Sequence, residues 1–221
     1  KSGASDIPER INDFIQKNRR VLLVSFIALI LIFIGSLIGI TIRERIQTRA
    51  ISQVDELQQR YNALMFQNQD VFLRQAEMSV LLQDLGEFER RNSGFAAARA
   101  NSIMADIHWN NGNWAEAESA WLRAASIASR NYLGPISLFN AAAAAEEQGN
   151  IAGAIDLYTR AVAYGQGFPA ASRAQFAIGR LEESRNNTAA AVTAYRVILS
   201  RWPHDPLWAD LAQSRLIILA D

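Results

Sequence analysis

The sequence predicts an all-α protein in which one N-terminal transmembrane helix is followed by an α-solenoid of helical hairpins. Three observations carry this expectation. Val21 to Ile42 is a run of 22 residues without a charge. Residues 95–221 hold 31 alanines in 127 positions, and alanine is the best helix former and lets helices pack closely. The same region matches itself when slid by 37 residues.

The whole-chain averages hide this division. Of 221 residues half are hydrophobic, and 22 acidic side chains balance 22 basic ones. At ~150 residues per domain the length allows one domain with appendages, or two small ones. By segment, residues 1–20 carry five bases and three acids (net +2), residues 21–42 carry no charge, and residues 43–221 carry 17 bases and 19 acids (net −2). That balance argues against nucleic-acid binding, which needs a basic excess, and against an acidic disordered chain. The absence of cysteine removes disulfides, thiolate zinc sites, cysteine nucleophiles and a cysteine-borne lipid anchor.

Residues 1–20 read as a cytoplasmic amphipathic leader. Asp6 suits a helix cap and Pro8 a first turn, and Ile7, Ile11, Phe14 and Ile15 share a face at helical spacing. Beside a membrane that face lies in the headgroup region; the alternative is a helical leader without lipid contact. Residues 21–42 form the span. At ~1.5 Å per residue the helix is roughly 33 Å long, enough for a bilayer core of ~30 Å. The run is too long for a cleaved signal peptide, and bulky Ile40 and Ile42 with charged Arg43 follow it, so an uncleaved signal anchor is expected. Lys17, Arg19 and Arg20 precede the span, and Arg43, Arg45 and Arg49 follow it. The small N-terminal bias places the N-terminus in the cytoplasm and the large C-terminal part outside it. Gly35 and Gly39 form a GxxxG pair, a candidate seam for a homodimer, although glycine is common in such helices anyway.

Residues 43–94 read as a helical stalk with N-terminal capping helices. Ala50, Val54, Leu57, Tyr61 and Leu64 make a stripe of two heptads. That is too short for a coiled coil, so the stripe is expected to pack on its own domain. Asp70 is placed to cap a second helix, and Gly86 with the polar stretch to Gly94 reads as a break.

The 37-residue match is specific at the turn. Gly112, Gly149 and Asn186 align, followed by Asn113, Asn150 and Asn187. Ala117, Ala154 and Ala191 come next, then Trp121, Tyr158 and Tyr195, and upstream lie Ala105, Ala142 and Gly179. Gly or Asn takes positive φ and ends a first helix; the Asn after it suits the cap of a second. The small residues allow the two helices to cross closely, and the aromatic fills the space between hairpins. One hairpin cannot bury its own apolar face, so several must stack.

This pattern resembles the tetratricopeptide repeat (TPR). The stretches NNGNWAEAESAWLRAA (110–125), EEQGNIAGAIDLYTRAV (146–162) and RNNTAAAVTAYRVILSRWP (185–203) carry the family's signature, the last with Pro203 at the family's proline. The resemblance covers about half the chain and gives three repeats at about 98–131, 135–168 and 172–205 within 95–205, with residues 206–221 as a C-terminal capping helix. The period of 37 exceeds the family's 34, which puts the extra residues in the links between repeats. His108 and Glu182 stand where helix A is often aromatic.

What the resemblance implies is a groove lined by the first helix of each hairpin, binding proteins or peptides. The family's groove positions fall on Arg99, Ser102, Ile103 and Asp106; on Ile136, Phe139, Asn140 and Ala143; and on Arg173, Phe176, Ala177 and Arg180. Candidate binding residues are therefore Arg99, Asp106, Phe139, Asn140, Arg173, Phe176 and Arg180. A carboxylate clamp is not expected, because only Asn140 and Arg173 match it. The two phenylalanines serve either a ligand or the packing between helices.

No catalytic constellation is present: two distant histidines, no cysteine, and no Walker, GxSxG or HExxH motif. His108 is expected to pack at a helix crossing. The acid pairs Glu146–Glu147 and Glu182–Glu183 read as solvated helix faces. No enzyme activity, metal or cofactor is expected. One span ahead of a short repeat array resembles bacterial envelope proteins such as the ancillary subunit of the Sec translocon. The leading expectation is a scaffold or chaperone-like adaptor in the inner membrane with its repeats in the periplasm. The alternatives are a structural subunit of a secretion or flagellar machine, and a cytosol-facing import receptor or co-chaperone anchor.

Overall fold

The computed structural model describes residues 6–66 and 70–220, and among these there is no strand. The helices are α1 (Asp6–Phe66), α2 (Val71–Arg91), α3 (Gly94–Asn110), α4 (Trp114–Ile127), α5 (Leu133–Glu147), α6 (Ile151–Val162), α7 (Ala171–Ser184), α8 (Thr188–Arg201) and α9 (Pro206–Ile218), with a short 3₁₀ turn at Gly165–Gly167. The chain divides into two compact units, residues 1–49 and 50–221.

The first unit is the long N-terminal part of α1. No break separates the expected leader from the apolar run; one helix passes through both. Between Val21 and Ile42 every described side chain is exposed. This helix is long and apolar enough to cross a membrane. Gly35 and Gly39 have nothing within 4 Å of where a Cβ would stand. Phe14 is exposed, whereas the side chains of Asp6, Ile7, Pro8, Ile11 and Ile15 lie outside the described residues.

In the second unit the end of α1 turns its stripe inward. Ala50, Val54, Tyr61 and Leu64 are buried and Leu57 packs against them. The Asp70 carboxylate caps α2 by accepting from the backbone N–H of Phe72 (2.8 Å) and Leu73 (3.3 Å). Gly86 does not break this helix. Leu85 and Phe88 on either side of it are buried, and their burial outweighs the ~1 kcal/mol that a helical glycine costs. The break falls at Asn92, whose backbone is extended.

From α3 onward each helix packs on its neighbours in sequence, and α3 also meets α5 as α7 meets α9. The three turns α3–α4, α5–α6 and α7–α8 are near-identical. Gly112, Gly149 and Asn186 have φ of 73°, 72° and 58°. The next N–H, of Asn113, Asn150 or Asn187, donates back to His108, Ala145 or Glu182 at 2.9 Å in each case. This is a left-handed helix stop with its 6→1 bond. Capping varies: the Asn150 and Asn187 side chains accept from Gly153 and Ala190, while Asn113 makes no such bond. Asp205 precedes Pro206 at the start of α9, but its carboxylate takes the Ser172 hydroxyl (2.6 Å) instead of capping.

The aromatic column lies inside the hairpins. Trp121, Tyr158 and Tyr195 are buried, and so are Ala105 and Ala142. At Gly179 the helices cross so closely that a Cβ would meet the Tyr195 ring at 2.5 Å. Gly179→Ala is therefore expected to lower stability by about 1–3 kcal/mol through overpacking. Gly86→Ala, whose Cβ would meet only the tip of Arg90 at 3.8 Å, is expected to raise it by about 0.5–1 kcal/mol. Urea titration followed by circular dichroism compares the two.

Candidate functional site

The first helices of the three hairpins, α3, α5 and α7, carry the candidate binding residues. On α3, Arg99 pairs with Asp55 of α1 across 44 positions of sequence. Asp106, two turns further on, is half-buried. That burial raises its carboxyl to about 6, and the nearby Trp121 indole, which falls outside hydrogen-bond geometry, offsets only part of the rise. The same carboxylate and, above all, burial push up the Tyr61 phenol, whose oxygen accepts from the Asn110 amide at 2.8 Å.

On α5 and α7 the residues converge in pairs. The Phe139 ring packs edge-on to Tyr158 (5.2 Å between centroids) and near Phe168 (6.0 Å). The Arg173 guanidinium lies over its free face at 5.0 Å, a cation–π contact worth ~0.5–1 kcal/mol when exposed. Phe176 repeats the arrangement one hairpin later, against Tyr195 (5.2 Å) and Trp208 (5.4 Å). Both rings are thus half-buried packing elements. Asn140 is half-buried beside Phe139.

Arg180 reaches Glu146 on α5. That carboxylate also accepts from the Tyr158 hydroxyl of α6 at 2.7 Å. The trio recurs one repeat on. Glu183 of α7 accepts from the Tyr195 hydroxyl of α8 and from Arg215 of α9 through both Nε and Nη2. Hydrogen bonding to Arg215 holds the Glu183 carboxyl below its usual range. Burial and the neighbouring carboxylate raise both tyrosines. In the first hairpin Trp109 stands at the glutamate's place in the register. It packs tilted against Trp121 (5.6 Å) and edge-to-face with Trp114 (4.8 Å).

Sequence reasoning missed these trios. It read Glu146 and Glu183 as part of solvated acid pairs, yet their side chains are 17% and 16% exposed. The available signal was the 37-residue spacing of both glutamates and both tyrosines. Of the other unusual helix A residues, His108 is half-buried with its Nδ1 unpartnered, and burial lowers it. Glu182 accepts from the Asn187 amide at 2.9 Å. Among the described residues no three His, Asp or Glu side chains gather as metal ligands would.

A family model for the tetratricopeptide repeat matches residues 139–206. A TPR repeat-containing protein of Treponema pallidum (strain Nichols) is 32% identical over 226 residues, covering 96% of this chain and 93% of that relative. The chain belongs to the tetratricopeptide repeat family. The matched stretch runs from within α5 to the start of α9, and the α3–α4 hairpin outside it has the same turn geometry. Family repeats of this kind bind proteins or peptides.

Two outcomes test the electrostatics. Asp106 has a raised folded pKa, so its folded form holds a proton more tightly than its unfolded form. Its contribution to stability falls as pH rises from 3.8 to about 6. Asp106→Asn is expected to stabilise the protein at pH 7 by about 1–3 kcal/mol and to flatten that part of the pH–stability curve. For the trio, a double-mutant cycle of Glu183→Gln with Tyr195→Phe is expected to give a coupling of about 1 kcal/mol; additive losses indicate that the two groups act separately.

Proposed function

We propose that this TPR chain is a membrane-tethered protein-interaction scaffold, or chaperone-like adaptor, of a bacterial envelope. The reading rests on one observation: an apolar helical run, Val21–Ile42, exposed at every described side chain, belongs to the same chain as the TPR hairpins. Such a run has no water-facing use, because exposing this much contiguous apolar surface marks a membrane or a partner. The flanking bases put the N-terminus in the cytoplasm and the repeats, assigned to about 98–131, 135–168 and 172–205, in the periplasm. The tether concentrates the repeats near membrane partners, so modest affinity suffices. The chain acts by binding, not by catalysis.

The binding surface in this reading is the helix A face, with Phe139, Asn140, Phe176 and the cations Arg173 and Arg180 receiving apolar and acidic segments; Arg99 and Asp106 extend it. A photo-crosslinker placed at position 140 in living cells tests this. The expected result is discrete adducts that Arg173→Glu reduces at least several-fold. Unchanged adducts in that variant and in the Arg173→Glu/Arg180→Glu pair, with unchanged thermal melting, overturn the assignment. Protease accessibility of residues 95–221 in spheroplasts tests the orientation. The bare backbone at Gly35 and Gly39 favours a second reading, a structural subunit whose α1 packs against another helix; a large native mass after mild extraction distinguishes it.

A further inference from the structure

The seam between the end of α1 and α2 is packed unlike the others in the second unit. The later hairpins close with alanines and a buried aromatic. Here Val54, Tyr61 and Leu64 of α1 share one buried apolar cluster with Met78, Leu81, Leu85 and Phe88 of α2, Arg60 pairs with Asp84 at 2.7 Å, and two hollows open along the seam. One has a volume of about 540 Å³ and is lined by Glu56, Leu57 and Phe88 among others. The other, of about 580 Å³, lies between α1, α2 and the end of α3.

That larger cleft has a defined chemistry. Met65, Met78, Leu82 and Ile107 give it an apolar lining, and the Tyr61–Asn110 hydrogen bond closes one side. Among the described residues Arg74 is its only charged lining residue and has no ion-pair partner. At the adjoining ends of α1 and α2, Phe66 and Phe72 are 88% and 83% exposed. The volume falls in the range of ~300–1,000 Å³ typical of ligand sites. Methionines refit to different apolar side chains at little cost.

We propose that this cleft binds a segment of a partner protein that inserts an apolar side chain between Met65 and Met78 and sets a carboxylate against Arg74. Charge complementarity selects this occupant. Among the described residues Arg74 has no counter-charge, and a basic or neutral segment would leave it without one, whereas a carboxylate supplies it. A bilayer matches poorly, because Gln75, Ser79, Asn110 and Asn111 also face the cleft and would lose their water in hydrocarbon. The site lies outside residues 139–206 and shares no residue with the helix A face, so a partner held there leaves that face free. Two contacts on one tethered chain would let it grip a partner at one site and a second segment at the other.

The test uses the full chain in lipid nanodiscs and fluorescein-labelled synthetic peptides of 12 residues (about 18 Å as a helix), each with two leucines and a phenylalanine interspersed with Glu, Gln or Lys. Fluorescence anisotropy is expected to rank the Glu set about tenfold tighter than the Lys set. Arg74→Gln should erase the ranking and Arg74→Glu invert it. Arg173→Glu, which alters the helix A face, should leave it intact. Equal affinity of the Glu and Lys sets, binding no greater than to empty nanodiscs, or a ranking that survives Arg74→Glu overturns the proposal. So does a ranking lost only with Arg173→Glu, which assigns the peptides to the helix A face. A self-association that Arg74→Glu abolishes and that excludes the peptides also overturns it, by making a second copy the occupant.

Discussion

Glu146 and Glu183 sit near the ends of their helices, where each accepts a tyrosine hydroxyl from its own hairpin and an arginine from the helix that follows. Much depends on this. The tyrosine ring lies in the crossing of the two helices, and for Tyr195 that crossing is close enough to require glycine at 179. Fixing the hydroxyl fixes the ring, and the ring sets the spacing of the helices. The arginine then ties the helix after the hairpin to it. A carboxylate this well enclosed is costly unless its lone pairs are filled, so the trio forms as a unit or strains as one. In the first hairpin a cluster of three tryptophans replaces it, and the register is held there by shape and apolar area instead of charge.

The parts of the fold legible in the sequence are those where the backbone restricts residue type. Positive φ at Gly112, Gly149 and Asn186 is open to few residues, so the turns are written into the sequence at a fixed interval. The apolar run is legible in another way, since 22 residues without a charge stand out in any sequence. The trios are less so. Arg180 and Arg215 are 35 residues apart, not 37, which takes them out of the register that reveals their partners. The Arg99–Asp55 pair has no local signature. Gly86 shows the converse case, in which a local breaker is overruled by the burial of Leu85 and Phe88 on either side.

The candidate helix A face has two kinds of residue. Arg173 and Asn140 leave atoms toward solvent, whereas Arg99, Arg180 and Asp106 already serve the fold through pairing or burial. Phe139 and Phe176 do both, packed against tyrosines and still half-buried. A binding face built on structural side chains is rigid, which limits the entropy lost when a partner docks. It also ties recognition to folding, because what orients Phe139 is the same Tyr158 that Glu146 holds.

The trios point one way along the chain: each is completed by a cation from the helix downstream, never upstream. The array therefore has a direction in time as well as in space. As the polypeptide leaves the ribosome, the α7–α8 hairpin has its glutamate and tyrosine before it has its arginine, and Glu183 waits for Arg215. The last helix, α9, is then more than a cover for an exposed end: it closes the circuit of the hairpin before it. The α7–α8 hairpin, although its own helices end at Arg201, is not electrically whole until residue 215 has been made.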